Sequence, residues 1–137
     1  MDREIIIVDD HQGAREALLG MVEHAGYPAV AFASPAGALA RIAEQRPALI
    51  LLDMMMPEID GAEFLRRLDA IHEGAMVPVI VVSAIGHLLQ GMRRTDVRSA
   101  GVAAVLSKPV TYTALRETID RIIGPPDGPA RDGTSEG

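Results

Sequence analysis

The sequence predicts an α/β fold in which one parallel β-sheet is doubly wound, with helices on both of its faces. Short apolar runs rich in Ile, Val and Leu recur along the chain, and each has the length of one strand buried on both faces. Segments with apolar residues at helical spacing lie between these runs. Five such units in strict alternation are typical of a parallel sheet with helical crossovers.

The composition indicates one domain with an aliphatic core. Apolar residues make up 48% of the 137 residues, yet the chain has only two Phe, two Tyr and no Trp. The absence of Cys excludes disulfides and thiolate chemistry. A net charge of −6 argues against direct nucleic-acid binding, and no apolar run is long enough to span a membrane. With no signal peptide at the N-terminus, we expect a cytoplasmic protein.

The first half of the chain contains three predicted strands and two predicted helices. The strands are expected at residues 5–8, 27–32 and 48–52, where apolar or alternating runs occur, the second of them at an edge of the sheet. The first helix should span residues 11–25, because Gly is common just beyond a helix end and Gly26 follows. Ser34-Pro35 marks the start of the second helix, since Ser caps and Pro suits the first helical position.

The second half follows the same alternation and ends in a tail. Strands are predicted at residues 77–82 and 101–106, and helices at 61–71, 89–100 and 111–123. Asp60 and Glu63 have the spacing of a capping box for the first of these helices. Residues 1–123 are therefore expected to form one domain. Residues 124–137, rich in Pro, Gly and Asp, are predicted to be a disordered tail or linker.

Polar residues stand at the carboxyl ends of four of the predicted strands. They are Asp9, Asp10, Asp53, Ser83 and Lys108. Taken one at a time, each has an ordinary structural explanation as a helix cap, a loop starter or a solvated surface residue. However, parallel strands place all their carboxyl ends on one edge of the sheet, where open α/β folds carry their chemistry. The joint placement of these residues on one edge therefore predicts a functional site.

The residue types at this edge favour phosphoryl transfer with a divalent cation. Carboxylates a few ångströms apart repel each other by roughly 4 kcal/mol per pair at an effective dielectric constant of about 20. A hard cation such as Mg²⁺ would neutralise them and suits a site with few carboxylates. A carboxylate can then attack phosphorus, while the metal ion and an ammonium group stabilise the charge on the phosphoryl oxygens.

In these residues the chain resembles the receiver domain of bacterial two-component response regulators, over residues 4–123. The matching motifs are Val8-Asp9-Asp10, Leu51-Leu52-Asp53-Met54-Met55-Met56-Pro57-Glu58-Ile59-Asp60-Gly61, Ser83-Ala84 and Lys108-Pro109. Each motif alone is modest, but the set in this order and at these spacings is highly specific. The resemblance implies a flavodoxin-like sheet with strand order 2-1-3-4-5.

The resemblance also implies a metal site and a phosphoryl site. Mg²⁺ would be bound directly by Asp10 and Asp53, by Asp9 through water, and by the backbone carbonyl of Met55. Asp53 would be the phosphoacceptor for a phosphohistidine on a histidine kinase or phosphotransfer protein. The other phosphoryl-site residues would be Ser83 as the switch hydroxyl, Ala84 leaving room for the phosphoryl group, and Lys108 pairing with its oxygens, with a cis Lys108–Pro109 bond.

The chain departs from the family pattern on the output side. Receiver domains usually carry Tyr or Phe three residues before the Lys, as the partner of the switch hydroxyl, and this chain has Val105 there. The connection from Ser83 to Gly101 is also longer than usual. We therefore expect the aromatic readout to be absent or altered.

The first hypothesis is a single-domain regulator that catalyses only its own phosphorylation and dephosphorylation and thereby switches its affinity for a downstream protein. One alternative is a receiver excised from a hybrid kinase or multidomain regulator, and a homodimer is also left open. A rival of another class is a Mg²⁺-dependent phosphohydrolase. Such enzymes often carry a second Asp two residues after the nucleophile, and Met55 at that position argues against this class. A receiver that binds partners without phosphorylation is disfavoured because all five site residues are present.

Overall fold

The computed structural model describes residues 4–53, 64, 66–68, 77–83 and 102–125. Within them, five strands form one sheet in the order β2-β1-β3-β4-β5, and all neighbouring strands are parallel. The strands are β1 Ile5–Val8, β2 Ala29–Phe32, β3 Leu49–Asp53, β4 Val79–Ser83 and β5 Val102–Ser107. The predicted strand order and the edge position of β2 are confirmed.

Three helices are described with both ends. They are α1 Gln12–His24, α2 Pro35–Glu44 and α3 Tyr112–Ile123. Each begins after a side-chain cap, because His11, Ser34 and Thr111 accept a hydrogen bond from the backbone N–H three residues on, at 3.1 to 3.2 Å. The predicted start of α2 at Ser34-Pro35 is confirmed, and Gly26 lies just beyond α1 with a φ of 101°.

The core lies on both faces of the sheet, as the alternation of side chains along a strand requires. On one face, Ile6 and Ile50 pack in a cluster with Ile42 of α2 and with Phe64 and Leu68. On the other face, the buried residues come from the strands and from α1 and α3; they are Ile5, Ile7, Leu18, Val22, Ala25, Tyr27, Leu49, Leu51, Ile80, Val82, Leu115 and Ile119. Helices therefore cover both faces of an aliphatic sheet, which confirms the predicted fold class.

Strands β3 and β4 begin and end slightly later than predicted. Asp53 is the last residue of β3 rather than the first residue after it, and Ser83 is the last residue of β4. The reason is that backbone pairing continues to the end of each strand, with Asp53 opposite Val82 and Ser83 opposite Ser107. Both polar residues are consequently held in the rigid sheet.

Strand β5 contains one residue more than its partner strand needs. Val79 pairs with Val102, but the next residue of β4, Ile80, pairs with Ala104. Ala103 is thus an extra, exposed residue of the kind found in a β-bulge. Beyond it the pairing is regular, so the side chains of β5 return to the correct faces before the strand reaches the site.

The two ends of the central strand β1 are tied to other elements. At its start, Glu4 accepts hydrogen bonds from the guanidinium of Arg41 at 2.9 to 3.2 Å, which links β1 to α2. At its end, the backbone N–H of Asp9 donates to the carbonyl of Phe32 at 3.1 Å. These bonds set the position of β1 along the sheet.

Tyr27 joins the turn after α1 to the end of α3. Its side chain is buried, and its hydroxyl lies 2.6 Å from Asp120 Oδ1 and 2.6 Å from the carbonyl oxygen of Gly124. Asp120 also pairs with Arg116 one turn earlier in α3, at 3.2 Å. The contact therefore connects two segments that lie far apart in sequence.

Part of the prediction falls on residues outside the described ranges. Within the predicted helix at 61–71, Phe64 and residues 66–68 are helical, with Phe64 and Leu68 buried and Arg66 and Arg67 exposed. The predicted capping box, the helix at 89–100 and residues 126–137 of the predicted tail lie outside the described residues. No helix among the described residues has the length and apolarity needed to cross a membrane.

Candidate functional site

Asp9 is a fully buried acid whose two carboxylate oxygens both accept hydrogen bonds. Oδ1 accepts from the backbone N–H of His11 at 2.9 Å, and Oδ2 accepts from the ammonium of Lys108 at 3.1 Å. Burying a carboxylate is costly unless it is paired and hydrogen-bonded. Two such bonds, one of them charge-assisted, offset that cost and fix the orientation of the carboxylate.

Asp9, Asp10 and Asp53 meet at the carboxyl edge of the sheet. One carboxylate oxygen from each lies within 4.8 Å of those of the other two. Asp9 and Asp53 are buried, whereas Asp10 is exposed. Three hard oxygen donors with one side open to solvent fit Mg²⁺, which binds through few carboxylates and retains several waters.

Lys108 places a positive charge beside this cluster. Its Nζ lies 3.1 Å from Asp9 Oδ2 and 3.8 Å from Asp53 Oδ2, and about a quarter of its side chain is exposed. Its backbone is also held in place, because its N–H donates to the carbonyl of Ser83 at 2.9 Å. The Lys108–Pro109 bond is cis, as expected. The ammonium thus lies between the sheet edge and solvent, within reach of an anion attached to Asp53.

Ser83 is completely buried at the end of β4, the strand next to β3. Because Asp53 pairs with Val82, Ser83 lies one residue further towards the edge that carries the carboxylates. The sheet register therefore places Ser83 at the same edge of the sheet as Asp53 and Lys108.

The remaining predicted site residues divide into two groups. Ala84 and Met55 lie outside the described residues. Val105 lies in β5 opposite Val81, is half-buried, and packs against the cluster that contains Ile50. Val105, where the sequence departs from the pattern that it resembles, is thus an aliphatic side chain packed on the core.

Two neighbours of the site were not predicted from the sequence. His11, predicted as the first residue of the helix at 11–25, lies just before α1, where its Nδ1 accepts from the N–H of Ala14 as the cap and its own backbone N–H donates to Asp9 Oδ1. Arg15 donates from Nη1 to the backbone carbonyl of Asp9 at 3.0 Å. Histidine is not among the preferred N-cap residues, so the cap at His11 could not be predicted from its residue type. For Arg15, the sequence shows only that the residue lies about one turn after the start of the first helix, and therefore near the end of β1.

Comparison with known proteins agrees with this geometry. Residues 5–120 match the response regulator receiver domain family. The polar-differentiation response regulator DivK of Brucella anthropi is 31% identical over 124 residues, which cover 90% of this chain and 98% of DivK. DivK of Brucella ovis matches to the same extent.

Solved structures with a similar fold include receiver domains of both regulators and kinases. One is the receiver domain of the sensor histidine kinase PA1611 from Pseudomonas aeruginosa, whose structure has a magnesium ion coordinated in the active-site cleft. It matches with a TM-score of 0.76 and 30% identity, over 90% of this chain and 99% of that domain. The chemotaxis protein CheY4 of Vibrio cholerae shares the fold, with a TM-score of 0.74 at 21% identity, over 89% of this chain and 99% of CheY4. The chain belongs to the response regulator receiver domain family of two-component signalling proteins.

Proposed function

We propose that this chain is a phosphoacceptor receiver in which Asp53 takes a phosphoryl group from a phosphohistidine of a histidine kinase or phosphotransfer protein. The observation that carries the proposal is the meeting of Asp9, Asp10, Asp53 and Lys108 at one edge of the sheet. Nothing else in the described part of the chain combines a buried carboxylate, a metal-binding set of oxygens and an ammonium group. Phosphoryl transfer needs all three.

In the proposed reaction, an Asp53 carboxylate oxygen forms a bond to phosphorus while the bond from phosphorus to the donor imidazole nitrogen breaks. The electron pair of that bond leaves with the imidazole, which takes up a proton from water. Mg²⁺, held by Asp9, Asp10, Asp53 and the Met55 carbonyl, would supply positive charge to the phosphoryl oxygens. The Lys108 ammonium, already 3.8 Å from Asp53, adds charge on another side.

The product places a dianion where a single carboxylate stood, and Lys108 and Ser83 are the residues placed to respond. Lys108 pairs with Asp9 at 3.1 Å in the unphosphorylated chain, and the new charge competes for it. The Ser83 hydroxyl would donate to a phosphoryl oxygen, with the small side chain of Ala84 leaving space. Since Val105 replaces the usual aromatic residue, the change in affinity for a downstream protein would not depend on rotation of a ring.

Two settings for this module are each favoured by a relative. The DivK proteins match over 98% of their own length, which favours a regulator made of a receiver alone. PA1611, by contrast, is a sensor histidine kinase, and its receiver domain is 30% identical to this chain. That similarity favours the second setting, in which the receiver is part of a larger signalling protein.

The decisive experiment is phosphorylation of the purified chain by a small phosphodonor such as acetyl phosphate, followed by intact mass measurement. We expect one phosphoryl group to be added, only when Mg²⁺ is present, and to be removed by hydroxylamine, which cleaves acyl phosphates. Asp53→Asn should take up none. Phosphate on the Asp53→Asn variant, or none on the wild type, would overturn the proposal. Repeated turnover of a phosphomonoester by the wild type would instead support the phosphohydrolase.

A further inference from the structure

Arg15 lies close to the site but contacts it through the backbone. It belongs to the first turns of α1, and helical side chains point back towards the helix N-terminus, where Asp9 lies. Its Nη1 donates to the carbonyl oxygen of Asp9 at 3.0 Å in a partly buried environment. The backbone N–H of Arg15 donates to the carbonyl of His11 at 2.9 Å, so its own position is fixed by the helix.

The carbonyl that Arg15 contacts belongs to the peptide group between Asp9 and Asp10. Because a peptide group is planar, holding its oxygen also fixes the direction in which the Cα of Asp10 follows. Asp9 is already constrained on its other side, where its N–H donates to Phe32, and through both carboxylate oxygens. Asp10 is the exposed member of the acidic cluster. Its solvated side chain therefore keeps its position beside the other two acids only if its backbone is held in place.

We propose that Arg15 is a positioning residue for the metal site, which holds the Asp9–Asp10 peptide so that the Asp10 carboxylate faces Asp9 and Asp53. The inference rests on the proposed function, because it assigns the cluster to Mg²⁺. It adds a residue that is neither a metal ligand nor a phosphoryl contact.

The charge of Arg15 and its hydrogen bond predict opposite effects on Mg²⁺ affinity. A cation near three carboxylates repels Mg²⁺, so if charge were all that mattered, removing Arg15 would tighten Mg²⁺ binding. If Arg15 positions Asp10, removing it should weaken binding, as loss of an outer partner of a metal ligand commonly does. The direction of the change therefore distinguishes the two roles.

A matched control exists at the opposite end of the same strand. Arg41 contacts Glu4 just before β1, whereas Arg15 contacts Asp9 just after it. Arg15→Met and Arg41→Met both remove a guanidinium near an end of β1 and keep an apolar stem in a helix. Only the first should alter the Asp9–Asp10 peptide.

The test is calorimetric titration of Mg²⁺ into the unphosphorylated full chain for the wild type, Arg15→Met, Arg15→Lys and Arg41→Met. We expect Arg15→Met to weaken binding by about tenfold, the lower end of the effect of losing an outer partner. Arg15→Lys, which keeps the charge and a donor, should fall between Arg15→Met and the wild type, and Arg41→Met should match the wild type. The amide resonance of Asp10 should shift in metal-free Arg15→Met and stay in place in Arg41→Met.

Unchanged or tighter Mg²⁺ binding by Arg15→Met would overturn the positioning role while leaving the proposed function intact. Failure of the wild type to bind Mg²⁺ would contradict both the positioning role of Arg15 and the proposed function. If Arg15→Met does not fold, Arg15→Lys is used for the test. The inference is then contradicted if Arg15→Lys binds Mg²⁺ as tightly as the wild type and its Asp10 amide resonance does not shift.

Discussion

Asp9 and Asp10 are adjacent in the chain, but their carboxylates lie in opposite surroundings. Asp9 is fully buried and accepts two hydrogen bonds, whereas Asp10 is exposed beside two other acids. Asp9 is therefore part of the folded framework, and Asp10 is the carboxylate of the cluster that solvent and an incoming ion reach first. Two neighbouring acids of the same sequence motif should consequently respond differently to the same substitution.

In the metal-free protein, we expect Asp10→Asn to raise the free energy of unfolding by about 1 kcal/mol. Removing this charge relieves repulsion of up to roughly 4 kcal/mol per carboxylate pair. That relief outweighs the loss of a favourable helix-dipole interaction of about 0.3–1 kcal/mol. Asp9→Asn should lower it by about 1–3 kcal/mol, since one of the two donors to the buried group loses its acceptor. Urea unfolding followed by circular dichroism in EDTA measures both, and shifts in the same direction would contradict this reading. With Mg²⁺ added, both variants should gain less stability than the wild type.

One glycine within helix α1 and one just after it matter for different reasons. Gly20 lies within the helix, and a Cβ added there would meet nothing within 4 Å. Gly26, by contrast, follows the helix with a φ of 101°, a conformation that strongly favours glycine. One glycine is therefore replaceable, and the other is required by the turn into β2.

We expect Gly20→Ala to raise the free energy of unfolding by about 0.5–1 kcal/mol, since Ala loses less conformational freedom on folding. Gly26→Ala should lower it by about 1–2 kcal/mol because of the left-handed backbone. The urea midpoints of the two variants, compared at equal slope, provide the measurement. A destabilised Gly20→Ala would show that the helix surface at this position is not open.

At the level of these elements, the sequence predicted the described strands and helices because the apolar runs are rich in strand-forming residues and Ser34 is a preferred helix cap. It did not predict the cap at His11, a residue type with no capping preference. It also missed the extra residue Ala103 in β5, since nothing in the run Val102-Ala103-Ala104-Val105 distinguishes a bulge from a regular strand. That feature depends on how β5 pairs with β4.

Across the whole molecule, the contacts that complete the fold and the site join distant parts of the chain. Lys108 reaches Asp9 across 99 positions, and Tyr27 reaches Asp120 across 93. The sequence placed Lys108 and Asp9 on one edge through the strand pattern. Neither the burial of Asp9 nor the partner of the Tyr27 hydroxyl could be predicted, because both depend on contacts between segments that lie far apart in the sequence.

Removal of the Tyr27 hydroxyl tests one of these long-range contacts. Tyr27→Phe should lower the free energy of unfolding by about 1–2 kcal/mol, because it removes the hydroxyl that lies 2.6 Å from both the Asp120 carboxylate and the Gly124 carbonyl. Hydrogen exchange of the Gly124 amide, which donates to the backbone carbonyl of Asp120 at 2.8 Å, should accelerate more than that of amides in β1. Tyr112→Phe, at the other end of α3, serves as the control, and equal effects of the two substitutions would contradict a specific role for Tyr27.

The extra residue in β5 also has a consequence for the deletion of a residue from this strand. Pairing is regular on both sides of Ala103, with Val102 opposite Val79 and Ala104 opposite Ile80. Loss of this one residue would leave an ordinary strand in the same register, with Lys108 still next to Ser83. Strand β5 can therefore lose one residue at position 103 and still hold Lys108 beside the acids, because the register beyond that position is unchanged.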